Sequence, residues 1–279
     1  MMGKFVHNNS ISDLPLETSL WRYMDFTKFV DLILSRELYL RRIDSFEDPY
    51  EGFGSEITKE RLRDFLNNLY RNKEVDIEEM IQHQAMYWKI QKLYTYVNCW
   101  HINEYESAAM WNLYAKTNEA IAIKTNIRKI LNCLERSKRP DSYGVIYLDK
   151  VFYIDYEKEA PISRYNNLGF VEHLFNKRKS FEHEREFRVL YMSYEGHVWT
   201  GENGSGGGQL SLEWVQNRMD NNDEAYKHKI MKIDITDLIS EIYVSPTAPK
   251  WFHNMTIKFL KTLNLDHIPC VQSELYTLK

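Results

Sequence analysis

Apolar and polar positions change period several times along the chain. Residues 19–24 (Ser-Leu-Trp-Arg-Tyr-Met) read as a short strand, after which Asp25 or Thr27 caps a helix. That helix carries Phe29, Val30, Ile33 and Leu34 on one stripe and runs to about Arg36. Leu38 to Arg42 alternates as a second strand and ends at the turn Glu47 to Gly52. The period then lengthens. Thr58 to Arg71 sets Leu62, Phe65, Leu66, Leu69 and Tyr70 on one side of an amphipathic helix, and a second helix covers Asp76 to Gln91. Strand character returns at Leu93 to Trp100, so residues 56–92 read as a helical insertion. In that strand Leu93, Thr95, Val97 and Cys99 face one way and Tyr94, Tyr96, Asn98 and Trp100 the other.

The second half continues in the same mixed fashion. A helix is expected around Ser107 to Lys116, a strand at Ala120 to Thr125 and a helix to about Arg136. Tyr143 to Tyr156 is β-rich, and a helix near Asn166 to Lys179 precedes a strong strand, Glu186 to Met192. The chain closes with strands at Lys229 to Ile233 and Glu241 to Ser245, a helix from Pro249 to Leu263 and a strand from His267 to Gln272. The Gly-rich run 201–208 has neither the lysine nor the strand-to-helix setting of a phosphate-cradling loop, and residues 195–225 read as a flexible surface excursion. Strands and helices are interspersed irregularly and no repeat is visible. The expectation is an α+β fold forming one domain over residues 1–279.

Composition narrows the class. A chain of 279 residues that is 43% hydrophobic can bury a sizeable core and is not a disordered polymer. Its net charge of -4 gives no footprint of bulk nucleic-acid binding, yet leaves room for a local basic groove. The three cysteines, Cys99, Cys133 and Cys270, are too far apart for a paired zinc motif and odd in number for a disulfide framework. Reduced thiols point to the cytoplasm. Residues 1–20 lack the charged-then-apolar order of a signal peptide, and no run nears the ~20 apolar residues of a membrane span, so no membrane association is expected.

Three segments put chemistry where packing alone does not ask for it. In Leu20-Trp21-Arg22-Tyr23 an arginine interrupts an aromatic strand, offering a five-donor fork suited to phosphate or carboxylate. The bland alternative is a surface arginine on a half-exposed strand. Between Trp100 and Tyr114 a strand ends in a polar turn, and a helix opens on Ser107, Ala108 and Ala109. Trp111 and Tyr114, three apart, would share a helix side, as core residues or as a ligand platform. In Phe181 to Tyr191 a strand reading places Glu182, Glu184 and Glu186 on one face. Carboxylates so close repel, and one pKa rises unless Arg185, Arg188 or another cation neutralises them. A solvated charge run is the alternative. His183-Glu184 lacks the second histidine of a zinc-protease helix, and no serine nucleophile elbow is present. A metal nuclease using Asp48, Glu184 and Glu186 would lack the usual acidic-x-Lys signature, and no metal ligands are assigned.

Together these segments resemble a bacterial family of uncharacterised domains. Its pattern is a Leu-Trp/Tyr-Arg-Tyr strand, an Asp-Pro-x-Glu turn, a Met-Trp-x-x-Tyr helix and a Glu-x-Glu-x-Arg strand. More distantly, their order is similar to the ADP-ribosyltransferase fold, which implies a mixed, split β-sheet core. Arg22 stands where that fold carries its first-strand Arg or His, and Glu184-Arg185-Glu186 matches the Glu-x-Glu pattern of its arginine-type branch. The middle motif departs, because Ser107 sits at a turn or helix start instead of in a Ser-Thr-Ser strand.

The resemblance implies an NAD-dependent transferase acting as a toxin or antiphage effector. NAD would be the substrate, a protein or nucleic acid the acceptor, and an antitoxin-like partner would restrain it. Arg22 would clamp the pyrophosphate or ribose, with Tyr23 and Ser107 beside it. Trp111, Tyr105 or Tyr114 would shape the nicotinamide pocket. Glu186 would stabilise the oxocarbenium-like charge, and Glu184 would orient or deprotonate the acceptor. The competing expectation is a non-catalytic ligand-binding or protein-interaction module.

Overall fold

The computed structural model describes residues 14–115, 117–138, 140, 144–159, 171–199, 208–220 and 226–278. Its strands are β1 (Ser19–Asp25), β2 (Glu37–Arg42), β3 (Thr95–Ile102), β4 (Ala120–Asn126), β5 (Val145–Lys150), β6 (Phe152–Ile154) and β7 (Asn176–Arg178). These are followed by β8 (Glu186–Met192), β9 (His197–Trp199), β10 (Gly208–Leu210), β11 (His228–Lys232), β12 (Glu241–Val244) and β13 (Cys270–Gln272). The α-helices are α1 (Phe26–Ser35), α2 (Glu56–Leu69), α3 (Ile77–Lys92), α4 (Ala108–Tyr114), α5 (Ile127–Arg136), α6 (Leu212–Asp220), α7 (Ile235–Leu238) and α8 (Lys250–Thr262). No helix among the described residues is long and apolar enough to cross a membrane.

Local chemistry explains most helix boundaries. Ser55, Asp76, Ser107 and Asn126 each stand at an N-cap and accept an N–H from the first turn of α2, α3, α4 and α5. Helix α1 stops at Arg36, whose left-handed backbone (φ 55°) turns the chain back into β2. Helices α2 and α3 form the expected hairpin, joined on its surface by a forked bond from Arg63 to Glu78.

Nine strands form one mixed sheet that branches. Strand β8 runs along one side of β3 from Thr95↔Met192 to His101↔Glu186, and β5 lies beyond β8. The other side of β3 is shared. Its start pairs with β2 (Arg41↔Val97, Arg42↔Tyr96), and its end pairs with β1 (Leu20↔Ile102, Trp21↔His101). Two wings therefore leave β3, one continuing from β2 to β11 and the other from β1 through β4 and β12 to β13. The pairing is antiparallel except for β12 with β13 in this sheet and β6 with β7 in a separate ribbon. This is a mixed α+β architecture with an open, forked sheet.

The main core lies on one face of the sheet. There Leu20, Trp100, Ile123, Phe187, Val189 and Ile242 pack beneath Phe29 and Ile33 of α1, Ile130 of α5 and Phe252 of α8. The opposite face carries two smaller clusters. Trp21, Tyr23, Met110 and Trp111 form one, and Tyr94, Tyr147, Leu174 and Leu190 belong to the other. Polar chemistry collects with Cys99, Glu186 and Arg188, whose strands alternate between the core and this second face.

Two sequence expectations change. The helix expected near Asn166 to Lys179 is, within the described residues, a 3₁₀ turn (Glu172–Phe175) followed by β7. Leu174, Phe175 and Asn176 are buried in succession, which a helix with one solvent face cannot arrange. The excursion expected over residues 195–225 holds β9, β10 and α6, with the ring of Trp214 closing over Gly196. The glycine run at 201–207 lies outside the described residues.

Candidate functional site

The centre of the site is a closed ring of buried charges. Glu186, the first residue of β8, is 4% exposed, and its two carboxylate oxygens accept from Arg188 Nε at 2.6 Å and Nη2 at 3.2 Å. The same Nη2 donates to Glu51 Oε2 at 2.8 Å. Lys177 closes the ring, with Nζ 3.2 Å from Glu51 and 3.3 Å from Glu186. Its shortest contact, 2.5 Å, goes to Glu184 at the edge of the network. Arg188 Nη1 is satisfied by the Leu174 carbonyl at 2.7 Å.

Charges this deep are tolerable only when paired and hydrogen-bonded. Burial works to raise the Glu186 pKa, but Arg188 and Lys177 outweigh it and hold the carboxyl near 2. Burial likewise works against the ammonium of Lys177, and Glu186 and Glu51 reverse it, so its pKa is raised. Glu186 is therefore an anion throughout the physiological range.

Glu182, Glu184 and Glu186 do not share a strand face as expected. Residues Lys179–Glu184 form a 3₁₀ turn, and the strand begins only at Glu186. Between them Arg185 is held in the left-handed region (φ 40°). Its carbonyl accepts from Ile102 N–H at 2.8 Å and its guanidinium reaches Asn103 Oδ1 at 3.1 Å. This corner brings Glu184 and Glu186 to the same ammonium despite the broken strand. Non-glycine residues in that conformation carry strain of about 1–3 kcal/mol and cluster at functional sites. Glu182 stays exposed.

Arg22 occupies the fork. The pairing of β1 with β3 covers only Leu20 and Trp21, and the next residue lies where the strands part. Its guanidinium carbon is 5.9 Å from the Trp100 ring. Among the described residues it has neither a hydrogen bond nor a carboxylate partner. Desolvation lowers its pKa, opposed by the neighbouring Cys99 thiol and Tyr114 phenol. Burial pushes the Cys99 pKa well up, and the nearby Glu186 carboxylate adds to it. Burial raises the Tyr114 pKa, helped by Glu184, Cys99 and Glu186. Cys99 and Tyr114 are thus each within electrostatic reach of Arg22 and of Glu186, and Tyr114 also of Glu184.

The remaining expected residues divide. Tyr23 is buried, its hydroxyl accepting the Ser107 N–H at 2.8 Å and its ring meeting the edge of Trp111 at 5.0 Å. Ser107 caps α4, its Oγ accepting from Met110 N–H at 3.4 Å. Trp111 is core, and its indole donates to Glu106 at 3.0 Å. It does not share an exposed side with Tyr114, because the helix ends at Tyr114 and leaves that ring half outside. Tyr105 is 71% exposed on the loop before α4. Of the expected aromatics, only Tyr105 and Tyr114 offer surface to a flat ligand. Asp48 is bonded to Arg178 at 2.9 Å and does not join Glu184 and Glu186. No group of three His, Cys, Asp or Glu among the described residues could hold a metal ion.

Sequence reasoning missed Lys177 and gave Glu51 only as part of a turn. Nothing local marks Lys177, which lies in a stretch of helical appearance. Glu51 carried a signal, the last residue of an Asp-Pro-x-Glu turn, with no partner in view.

Residues 110–189 match a family described as a protein of unknown function (DUF2971). The match agrees with the expected resemblance to an uncharacterised domain family and takes in Tyr114, Lys177, Glu184, Glu186 and Arg188. Arg22 and Glu51 lie outside it. No curated protein and no solved structure matches the chain.

Proposed function

We propose that the protein is an NAD-dependent ADP-ribosyltransferase with its site at the sheet fork. The observation that carries this reading is that an arginine without an anionic partner, Arg22, and the carboxylate Glu186 both lie within electrostatic reach of Cys99 and Tyr114, with Glu184 also in reach of Tyr114. A guanidinium with five unmatched donors suits a pyrophosphate, and the fixed anion of Glu186 suits a ribose whose C1 gains positive charge as nicotinamide leaves. Carboxylates near an anomeric carbon serve the same end in glycoside hydrolysis. Tyr114 and Tyr105 supply stacking surface for the nicotinamide ring. Glu184, the outermost carboxylate, orients the acceptor. In this reading the acceptor is a protein or nucleic acid, the setting is a toxin or defence effector, and a binding partner restrains it.

The test is nicotinamide release from NAD by purified protein, with cell lysate supplied as acceptor. Release is expected for the wild type and lost in Glu186→Gln and Arg22→Ala. No release and no calorimetric binding of NAD by the folded wild type would sink the proposal.

A second reading, a ligand-binding module, draws on the engagement of both Glu186 oxygens by Arg188 and Lys177. NAD binding without release would favour it.

A further inference from the structure

Helix α8 packs on the face of the sheet opposite Glu186, and its inner side is fully used. Phe252, Thr256 and Leu260 are buried, and Phe252 and Phe259 meet the ring of Phe26 in α1 at 4.9 and 6.2 Å. The outer side is of another kind. Lys250, Trp251, Asn254, Ile257, Lys258 and Lys261 are all exposed. At 3.6 residues per turn and 1.5 Å per residue, the three lysines and Asn254 fall within about 80° of the circumference and extend over about 16 Å. They form a single stripe, bordered on one side by Trp251, which is 59% exposed.

The stripe is a free positive charge. Residues 242–265 contain neither Asp nor Glu. Lys124, Lys229 and Lys232 each pair with a glutamate, whereas among the described residues Lys250, Lys258 and Lys261 have no ion pair. The whole chain carries a net charge of -4, so the stripe is a local concentration and not a share of a general positive surplus.

Three kinds of anionic partner meet such surfaces, and composition separates them. Protein interfaces are depleted in lysine. A helix lying in a lipid headgroup layer needs an apolar face to bury there, and the apolar face of α8 is already spent on the core. A phosphodiester backbone asks for what is present: unpaired ammoniums at intervals, an amide among them and an aromatic ring at the border.

We propose that the outer face of α8 is a docking surface for the phosphate backbone of a nucleic acid. Lys250, Lys258 and Lys261 each neutralise a phosphate, and Asn254 donates to a backbone oxygen between them. Trp251 stacks on an unpaired base at the edge of the footprint. Binding follows charge and not base sequence. The surface lies apart from the fork and does not depend on the reaction proposed there.

The test is fluorescence anisotropy of the full chain with a labelled DNA duplex and a single-stranded RNA of equal length, across a series of salt concentrations. Three neutralised phosphates give a slope of log K against log salt of about −2.7 on the duplex and about −2 on the single strand. Each of Lys250→Gln, Lys258→Gln and Lys261→Gln should take about 0.9 off the duplex slope. The triple variant should flatten it and weaken binding at low salt by about tenfold or more. Trp251→Ala should leave the slope alone and weaken the single strand by about fivefold or more. Tighter binding in either arm upholds the proposal and names the form of nucleic acid. Should a variant not fold, acetylation of the wild type decides: bound nucleic acid is expected to protect these three lysines, and equal labelling with and without it overturns the proposal. So would no binding in either arm, an unchanged slope in a folded triple variant, or equally tight binding of polyglutamate or phosphatidylserine vesicles. None of these outcomes bears on nicotinamide release at the fork.

Discussion

Strands β3 and β8 present two unlike faces. On one, Phe187, Val189 and Tyr191 fit against Trp100 and Tyr96 in the main core, where any apolar side chain of similar volume would serve. On the other, Glu186, Arg188 and Cys99 meet Glu51 and Lys177 in a lattice of directional bonds. The first face tolerates exchange of shape. The second tolerates exchange of nothing singly, because each charge is compensated by the others. The two faces share a backbone, so the rigidity of the apolar side holds the charged side in register.

The comparison is sharpest in the loss of one member. Arg188→Met leaves Glu51 and Glu186 buried with half their partners and is expected to cost about 3–5 kcal/mol, read from urea midpoints. Phe187→Ala on the opposite face should cost a similar amount, about 3–5 kcal/mol. Rescue tells them apart. Adding Glu51→Leu, Glu186→Leu and Lys177→Met to Arg188→Met removes the whole buried ring and should restore half or more of the loss, whereas a second truncation combined with Phe187→Ala only enlarges the cavity. A quadruple variant no more stable than Arg188→Met would break the comparison.

Acid titration gives the next largest effect. The folded Glu186 pKa, about 2, lies below the ordinary carboxyl value of 4.5. Folding is therefore favoured by this group above the unfolded value, and the benefit fades as pH falls from there towards 2. Stability should decline over that window by chemical denaturation, and Glu186→Gln should flatten the decline. An equal slope in the variant would show that other carboxyls carry it.

At the Arg185 corner the effect is smaller and its sign depends on the residue. Arg185→Gly relieves the left-handed strain and should fall within about 1 kcal/mol of wild type, while the β-branched Arg185→Val should destabilise by more. Equal thermal midpoints for the two would mean that the corner is not strained. Least of all, Phe65→Ser on the outer surface of α2, where the ring is 60% exposed, should shift stability by no more than about 0.5 kcal/mol.

Sequence pattern reaches only the local part of this architecture. Helices α1, α2, α3 and α8 carry unbroken stripes or clear caps, and β1, β4 and β8 alternate or are densely apolar, so their physics is contained within ten or so residues. Arg22 and the pair Glu184 and Glu186 stood out because a charge inside an aromatic strand, or acids two apart, contradict packing. The corner at Arg185 was hidden because a left-handed non-glycine residue is imposed by tertiary bonds to Ile102 and Asn103. Lys177 was hidden for a related reason, since its partners Glu51 and Glu186 arrive from other parts of the chain.

The branch at β3 also bears on how the protein is made. Residues 95–102 leave the ribosome well before 186–192, so one whole edge of β3 waits, unpaired, through the synthesis of everything between. Exposed strand edges invite association with other chains, which makes this interval the time of greatest need for chaperones. Nascent chains stalled before residue 186 should be readily digested by protease along β3, and protection of that strand should not begin until Met192 has cleared the exit tunnel.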